Sequence, residues 1–137
     1  MTPEEMKDRT KTFGLRVIRL VQSLPREQVG YSIGRQVLRS ATSVGANYRA
    51  ACRARSTADF IAKLKIVEEE ADESLYWIEM LTESGLVRCD VVADLHREAE
   101  ELLAIVVASI KTSRTKRHQN KNPHKPNTTP KINNRKS

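Results

Sequence analysis

Five arginines in the second quarter of the chain have the residue type and the spacing that bind phosphates. Arg35 with Arg39, and Arg49 with Arg53, are separated by four residues, and Arg55 follows closely. On a helix, each pair places two guanidinium groups one turn apart on the same face, where they could hold successive phosphates of a nucleic acid. Like charges at this spacing repel each other. The pattern therefore predicts an acidic partner for these arginines.

The chain itself supplies one possible partner. Residues 1–65 contain thirteen basic and five acidic side chains, whereas residues 66–110 contain two basic and twelve acidic ones. A dense acidic run lies between Glu68 and Glu73. The arginines could thus pair with acids of the same or a neighbouring subunit, or they could bind RNA. Both interpretations remain open from the sequence.

The C-terminal segment is basic throughout. Residues 111–137 carry nine Lys or Arg and no acid, and they account for the net charge of +7. Prolines, asparagines and lysines replace the apolar periodicity there, which predicts a disordered tail over residues 113–137. Lys116 and Arg117 are candidate phosphate contacts in this tail. A solubilising function is the alternative.

Patterns typical of catalysis are missing from the sequence. It contains no GxSxG turn, no Gly-rich phosphate loop, and no His with a Glu three residues before it, as a di-iron bundle requires. Glu69 and Glu73 lie one turn apart and could hold a hard cation, although a solvated acidic face is the commoner arrangement. We therefore expect a protein that is not an enzyme, with no cofactor and no metal.

Start and stop signals divide the chain into four helices. Thr2, Ser56 and Asp90 are residues of the N-cap type, and Pro25 and Gly85 are stop signals. Four amphipathic helices with short links predict an all-α fold, an antiparallel up-and-down four-helix bundle over residues 1–112. The expected helices run from Pro3 to Leu24, from Tyr31 to Ala54, from Ser56 to a stop at Gly85, and from Asp90 to Lys111.

The third and fourth helices carry more apolar residues than one face needs. In an isolated bundle these residues would be exposed to water, so they predict a subunit interface, with a broad core stripe as the alternative. The surplus residues are Ile66, Trp77 and Met80 in the third helix and Leu103, Ile105 and Val107 in the fourth.

The sequence predicts a cytoplasmic location without membrane insertion. No basic segment followed by an apolar core begins the chain, and no apolar run reaches the roughly 18 residues that span a bilayer. Cys52 and Cys89 lack CxxC or Cys/His spacing, so they are expected to be free thiols in a reducing compartment.

The region from the second to the third helix resembles a known family. Its pattern reads approximately Q-x-x-R-S/A-A-x-S-I-x-A-N-I, followed by R-x-S-x-x-[DE]-F, and is found in small four-helix-bundle proteins encoded by intervening sequences in bacterial 23S ribosomal RNA genes. Ala50 and Ala51 depart from the Glu and Gly common in the family. The matching positions are Gln36, Arg39, Ser40, Ala41, Ser43, Val44, Ala46 and Asn47, then Arg53 or Arg55 with Ser56, Asp59 and Phe60.

This resemblance implies a four-helix bundle that assembles into a ring of five subunits. Similar proteins include accessory proteins of diversity-generating retroelements, which makes a reverse-transcriptase-like protein or RNA a possible partner. We also expect Asn47 to bond across the bundle and fix the register of its helix. The leading hypothesis is a non-enzymatic homo-oligomer that binds RNA or a ribonucleoprotein through the second-helix arginines and the tail. The alternative is a structural or protein-binding oligomer.

Overall fold

The chain folds into four consecutive α-helices. The computed structural model describes the backbone of residues 1–121 and the side chains of residues 1–120. Each helix packs against its neighbours in sequence, and α4 also contacts α1, though less extensively. The predicted all-α four-helix bundle is confirmed. The helices are α1 (Pro3–Gln22), α2 (Gln28–Ala51), α3 (Thr57–Glu83) and α4 (Cys89–Lys121).

The predicted caps of α1 and α3 are confirmed. The Thr2 hydroxyl accepts a hydrogen bond from the Glu5 backbone amide, and the Glu5 carboxylate accepts one from the Thr2 amide. At the start of α3, the Ser56 hydroxyl accepts from the Asp59 amide. Gly85 follows α3 with φ of 83°, a left-handed conformation that favours glycine. These contacts satisfy backbone groups that a helix end leaves free.

Two helix starts differ from the prediction. α2 begins at Gln28 because the Glu27 side chain caps it, with Oε1 accepting a 2.7 Å hydrogen bond from the Gly30 amide. Glutamate is not a common capping residue, so the sequence did not indicate this start. Asp90 lies in the first turn of α4 rather than capping it, and its carboxylate pairs with Arg88.

α4 continues past its predicted end at Lys111. Residues 113–121 are helical in the structure, although they fall in the segment that the sequence predicted to be disordered. This stretch contains no glycine or proline before Pro123, and Lys, Arg and Gln favour helix even without a buried face. The rest of the predicted tail, residues 122–137, lies outside the described residues.

The core lies between the four helices and is almost entirely apolar. Phe13, Val37, Leu64 and Leu102 are among its most deeply buried side chains. α1 additionally contacts α4 through Arg9, whose guanidinium binds Glu98 and Glu101. The hydrogen bond to Glu98, and then that to Glu101, raises the pKa of Arg9 above its ordinary value.

A buried pair of hydroxyls joins α2 to α3. Ser74 Oγ lies 3.0 Å from Ser40 Oγ, and both side chains are inaccessible to solvent. Asn47 was expected to make such a cross-helix contact, and that prediction is wrong. Its amide nitrogen donates to the Ser43 carbonyl one turn earlier in the same helix. Asn47 stabilises its own turn, and Ser40 makes the cross-helix contact.

Within the described residues, no helix is long and apolar enough to cross a membrane.

Candidate nucleic-acid interface

Arg39 is held by acidic side chains of α3. Its Nη2 lies 2.6 Å from Glu73 Oε2, and its Nη1 donates a 3.2 Å hydrogen bond to Glu70 Oε2. These bonds, with Glu70 the larger contributor, raise the pKa of Arg39 above its ordinary value. Two carboxylates around one guanidinium leave few donors for a phosphate. The structure thus places Arg39 in an internal ion pair.

Glu73 belongs to the same network. The indole nitrogen of Trp77 donates a 3.0 Å hydrogen bond to Glu73 Oε2, the oxygen that Arg39 also contacts. The indole first, and Arg39 second, hold the pKa of Glu73 below its usual range. Glu73 is therefore already bound by two protein side chains. It is not available to bind a cation together with Glu69, which is exposed one turn earlier.

The end of α2 and the link that follows it have a different environment. The second helix was predicted to extend to residue 54, but α2 ends before Arg53, so Arg53 and Arg55 lie in the link. Arg49, Arg53 and Arg55 line an open groove between α2 and α3 of about 790 Å³, together with Lys63 and Asp59. Within residues 1–120, none of the three arginine side chains forms an ion pair or a side-chain hydrogen bond. We refer to these five residues as the basic groove. Its guanidinium groups are free to bind an external anion.

Asp59 is the acid in the basic groove, and other groups already occupy it. Its Oδ1 accepts a 2.7 Å bond from Lys63 Nζ, and its Oδ2 accepts from the backbone amide of Arg55. The bonds to Lys63 and then to Arg55 lower the pKa of Asp59. Asp59 therefore stays ionised and orders the start of α3. Its charge also acts on Arg55, but Asp59 forms its ion pair with Lys63 and not with an arginine.

Lys116 of α4 lies close to the basic groove. It lines a cleft at the end of the bundle with Arg55, Phe60, Cys52 and other residues. The structure therefore brings a predicted residue of the C-terminal segment next to a predicted residue of the α2–α3 link. The cleft and the basic groove share Arg55, so they form one positively charged end of the molecule.

Two further predicted residues lie on the surface apart from the basic groove. Arg35 is exposed on α2, one turn before Arg39, and Arg117 is exposed near the end of α4. Lys63 was not among the predicted residues. Its position in the basic groove depends on how α3 lies against α2, which a pattern within one helix does not reveal.

The six predicted interface residues differ in their exposure. Ile66 is 40% exposed. The others are partly buried, and four of them pack against the core, as the broad-stripe alternative expected. Tyr76, which the prediction omitted, is 53% exposed and packs edge-on against Trp77. The four that pack against the core are Trp77, Met80, Leu103 and Ile105.

Neither metal ligation nor disulfide formation is apparent in residues 1–120. They contain no group of three His, Cys, Asp or Glu side chains placed to hold a metal ion. Cys52 and Cys89 are both free thiols.

The chain and its fold have counterparts in known proteins. The family model of the 23S rRNA-intervening sequence proteins matches residues 4–108. The chain belongs to this family. The match covers all of the bundle core except the last residues of α4, so the predicted family relationship is confirmed.

A solved structure shares both the fold and much of the sequence of this family member. It is a protein of unknown function from the S23 ribosomal protein family of Bacteroides thetaiotaomicron. The two sequences are 35% identical, and the match covers 81% of this chain and 99% of the other, with a TM-score of 0.76. No curated protein matches the chain.

Proposed function

We propose that the protein is a non-enzymatic homo-oligomer that binds RNA, free or within a ribonucleoprotein, through the basic groove and the adjoining end of α4. The observation that carries the proposal is the contrast between Arg39 and the arginines at the end of α2 and in the link that follows it. Acids of α3 bind Arg39, whereas Arg49, Arg53 and Arg55 form no ion pair within residues 1–120. Phosphates would relieve the mutual repulsion of these arginines and would release counterions from the RNA.

The proposal places the protein in the cytoplasm and assigns no catalytic step to it. A ring of five subunits would repeat the basic end of the bundle around an axis. Several weak phosphate contacts would then act together on one RNA molecule. The family's name refers to ribosomal RNA, which is consistent with an RNA partner.

Binding of a fluorescently labelled, structured RNA tests the proposal. The double variant Arg53→Ala/Arg55→Ala should bind about tenfold more weakly or worse at ~50 mM salt. A matched control, Arg16→Ala/Arg19→Ala, removes the same charge at the opposite end of the bundle, where both residues line a groove with Ser23.

The control should bind RNA almost as the wild type does. Equal reductions in the two double variants would mean that only net charge matters. No binding by the wild type at ~50 mM salt would reject RNA as the partner. Removing residues 122–137, which contain four of the basic residues, should weaken binding without altering the basic groove.

A structural or protein-binding oligomer is the second candidate. The exposed apolar side chains of α3, Ile66 and Tyr76, favour it because such residues are typical of interfaces. If the wild type assembles but binds no RNA, this second function accounts for the protein.

A further inference from the structure

α3 carries a second stripe of residues beside the one that packs into the core. Its residues follow one another at spacings of three and four, as on one face of a helix. Ile66 and Tyr76 are 40% and 53% exposed, and Glu69 lies exposed between them. We call this set the outer stripe of α3. Its members are Ile66, Glu69, Glu73, Tyr76 and Met80; Glu73 also binds Arg39 and Met80 packs against the core, so the exposed members are Ile66, Glu69 and Tyr76.

α1 and α2 form a shallow groove on another face of the bundle. They approach closely because Gly14 and Gly45 have no side chains; a Cβ on Gly45 would lie 3.3 Å from the Thr10 carbonyl. The resulting space of about 440 Å³ has an apolar floor that includes Ile18 and Leu15, and Leu15 is 45% exposed. We call it the α1–α2 groove.

The rim of the α1–α2 groove is charged. Lys7, Lys11, Glu4, Asp8 and Arg49 line it. Lys7 pairs with Glu4 at 2.9 Å, whereas Lys11 and Arg49 form no ion pair with residues 1–120. Asp8 forms no ion pair with these residues either, so the unpaired charges at this rim are two positive and one negative.

The outer stripe and the α1–α2 groove match each other in three respects. Each combines exposed apolar side chains with charges, and those charges are of opposite sign, Glu69 on the stripe against Lys11 at the groove. Each also extends about 21 Å along its helix, from Glu4 to Ile18 and from Ile66 to Met80.

We propose that the outer stripe of α3 in one protomer docks into the α1–α2 groove of a second copy of the chain. The inference rests on the homo-oligomer of the proposed function and identifies its contact surfaces. Because each protomer offers two different surfaces, the contact is heterologous, and repeating it produces a closed ring when the rotation between subunits permits.

Two variants that each disable one surface test the pairing. Leu15→Glu puts an acid into the groove, where it would face the acidic stripe. Ile66→Lys/Tyr76→Lys puts cations on the stripe, where they would face the basic rim. All three positions are exposed in the isolated subunit, so the bundle should fold in both variants, which circular dichroism would verify.

Each variant alone should sediment as a 15.5 kDa monomer. An equimolar mixture should form a heterodimer of twice that mass and grow no further, because only one intact stripe and one intact groove remain to pair. A mixture that stays monomeric would overturn the proposal. Variants that assemble as the wild type does would also overturn the proposed contact surfaces, but they would not contradict the homo-oligomer.

A monomeric wild type would instead reject the homo-oligomer of the proposed function. RNA binding by the Arg53→Ala/Arg55→Ala variant provides a separate readout, since these two arginines belong to neither surface, whereas Arg49 lines both the basic groove and the α1–α2 groove. An exchange of charges provides a second test of the pairing should a variant fold poorly. Lys11→Glu and Glu69→Lys should each weaken assembly at least tenfold, and the two together in one chain should restore most of it. No restoration would contradict the pairing.

Discussion

The two halves of the α2–α3 contact contain the same kinds of residue in different electrostatic environments. In the N-terminal half of α2, Arg39 faces Glu70 and Glu73, which bind it at 3.2 and 2.6 Å. In the link that follows α2, Arg53 shares a groove with Lys63 and with an aspartate that pairs with Lys63. Both arginines belong to similar i,i+4 pairs in the sequence, although Arg39 lies within α2 and Arg53 lies in the link that follows it. The difference therefore arises from the side chains of α3 that lie opposite each arginine.

A row of arginines thus has two effects in this molecule. Where α3 presents acids, the arginine fastens two helices together and is unavailable to an external ligand. Where α3 presents a lysine, the arginines repel one another in the free protein and gain by binding an external anion. Variants that alter only the contact around Arg39, or only the basic groove, can therefore test whether these two regions differ in function.

Changing the charge of the basic groove should have the largest effect. Lys63→Glu adds an acid and releases Asp59 from its 2.7 Å bond, so two carboxylates would face the groove arginines. RNA affinity should fall by more than about tenfold. Lys65→Glu is the matched control, with the same charge change at an exposed residue that lies 3.9 Å from Glu68. Similar reductions in the two variants would show that the location of the charge is unimportant.

Removal of the buried hydroxyl pair should come next and should affect stability alone. Ser74→Ala eliminates the 3.0 Å hydrogen bond with Ser40 between α2 and α3. The free energy of unfolding should fall by about 1 kcal/mol, with RNA affinity unchanged in the folded protein. Urea unfolding and RNA titration measure the two quantities. An unchanged unfolding midpoint would argue against a stabilising contribution from this pair.

The lowered pKa of Glu73 should make stability depend on pH. A group whose pKa is lower in the folded state contributes stability above its unfolded pKa, about 4.3, and loses it as pH falls through the folded value. Trp77→Phe removes the indole hydrogen bond. The part of its destabilisation that comes from this bond should be present at pH 6 and shrink below about pH 4.

Unfolding measured from pH 3 to pH 6 in both proteins tests this expectation. In a Glu73→Gln background the same Trp77→Phe change should show no such pH dependence, because the titrating group is gone. If Trp77→Phe lowers the free energy of unfolding of the protein with native Glu73 by the same amount at every pH in this range, the bond does not lower the pKa of Glu73.

Removal of Arg39 should have the smallest effect. Its side chain is 47% exposed, so solvent and salt screen its ion pairs. Arg39→Ala should lower the free energy of unfolding by about 0.5 kcal/mol or less at low salt. Its RNA affinity should match that of the wild type. A large decrease in RNA binding in this variant would mean that Arg39 and the arginines of the basic groove do not differ as described.

The sequence predicted the helices wherever local signals mark them. The signals at Thr2, Ser56 and Gly85 depend only on hydrogen bonds or backbone conformation within one helical turn. The residue type alone therefore indicates where the helix begins or ends. The end of α4 was missed because the apolar periodicity stops at Ile110, while helix propensity continues through Lys121. Absence of a buried face does not by itself end a helix.

The candidate site was only partly predictable for a different reason. Arg39 and Arg53 have the same residue type and similar spacing, and their difference depends on which α3 side chains lie opposite. That register follows from packing between helices, including the hydrogen bond of Ser40 with Ser74. The acidic run on α3 indicated that internal pairing was possible, but not which arginine it would neutralise.

The salt dependence of RNA binding tests the central claim most directly. The slope of log affinity against log salt should flatten by about 1.4 in Arg53→Ala/Arg55→Ala, at roughly 0.7 for each phosphate of a single-stranded RNA that the variant no longer neutralises. In Arg39→Ala the slope should equal that of the wild type, because this arginine is already neutralised by Glu70 and Glu73. An unchanged slope in the double variant, or an equal flattening per arginine in Arg39→Ala, would contradict the account.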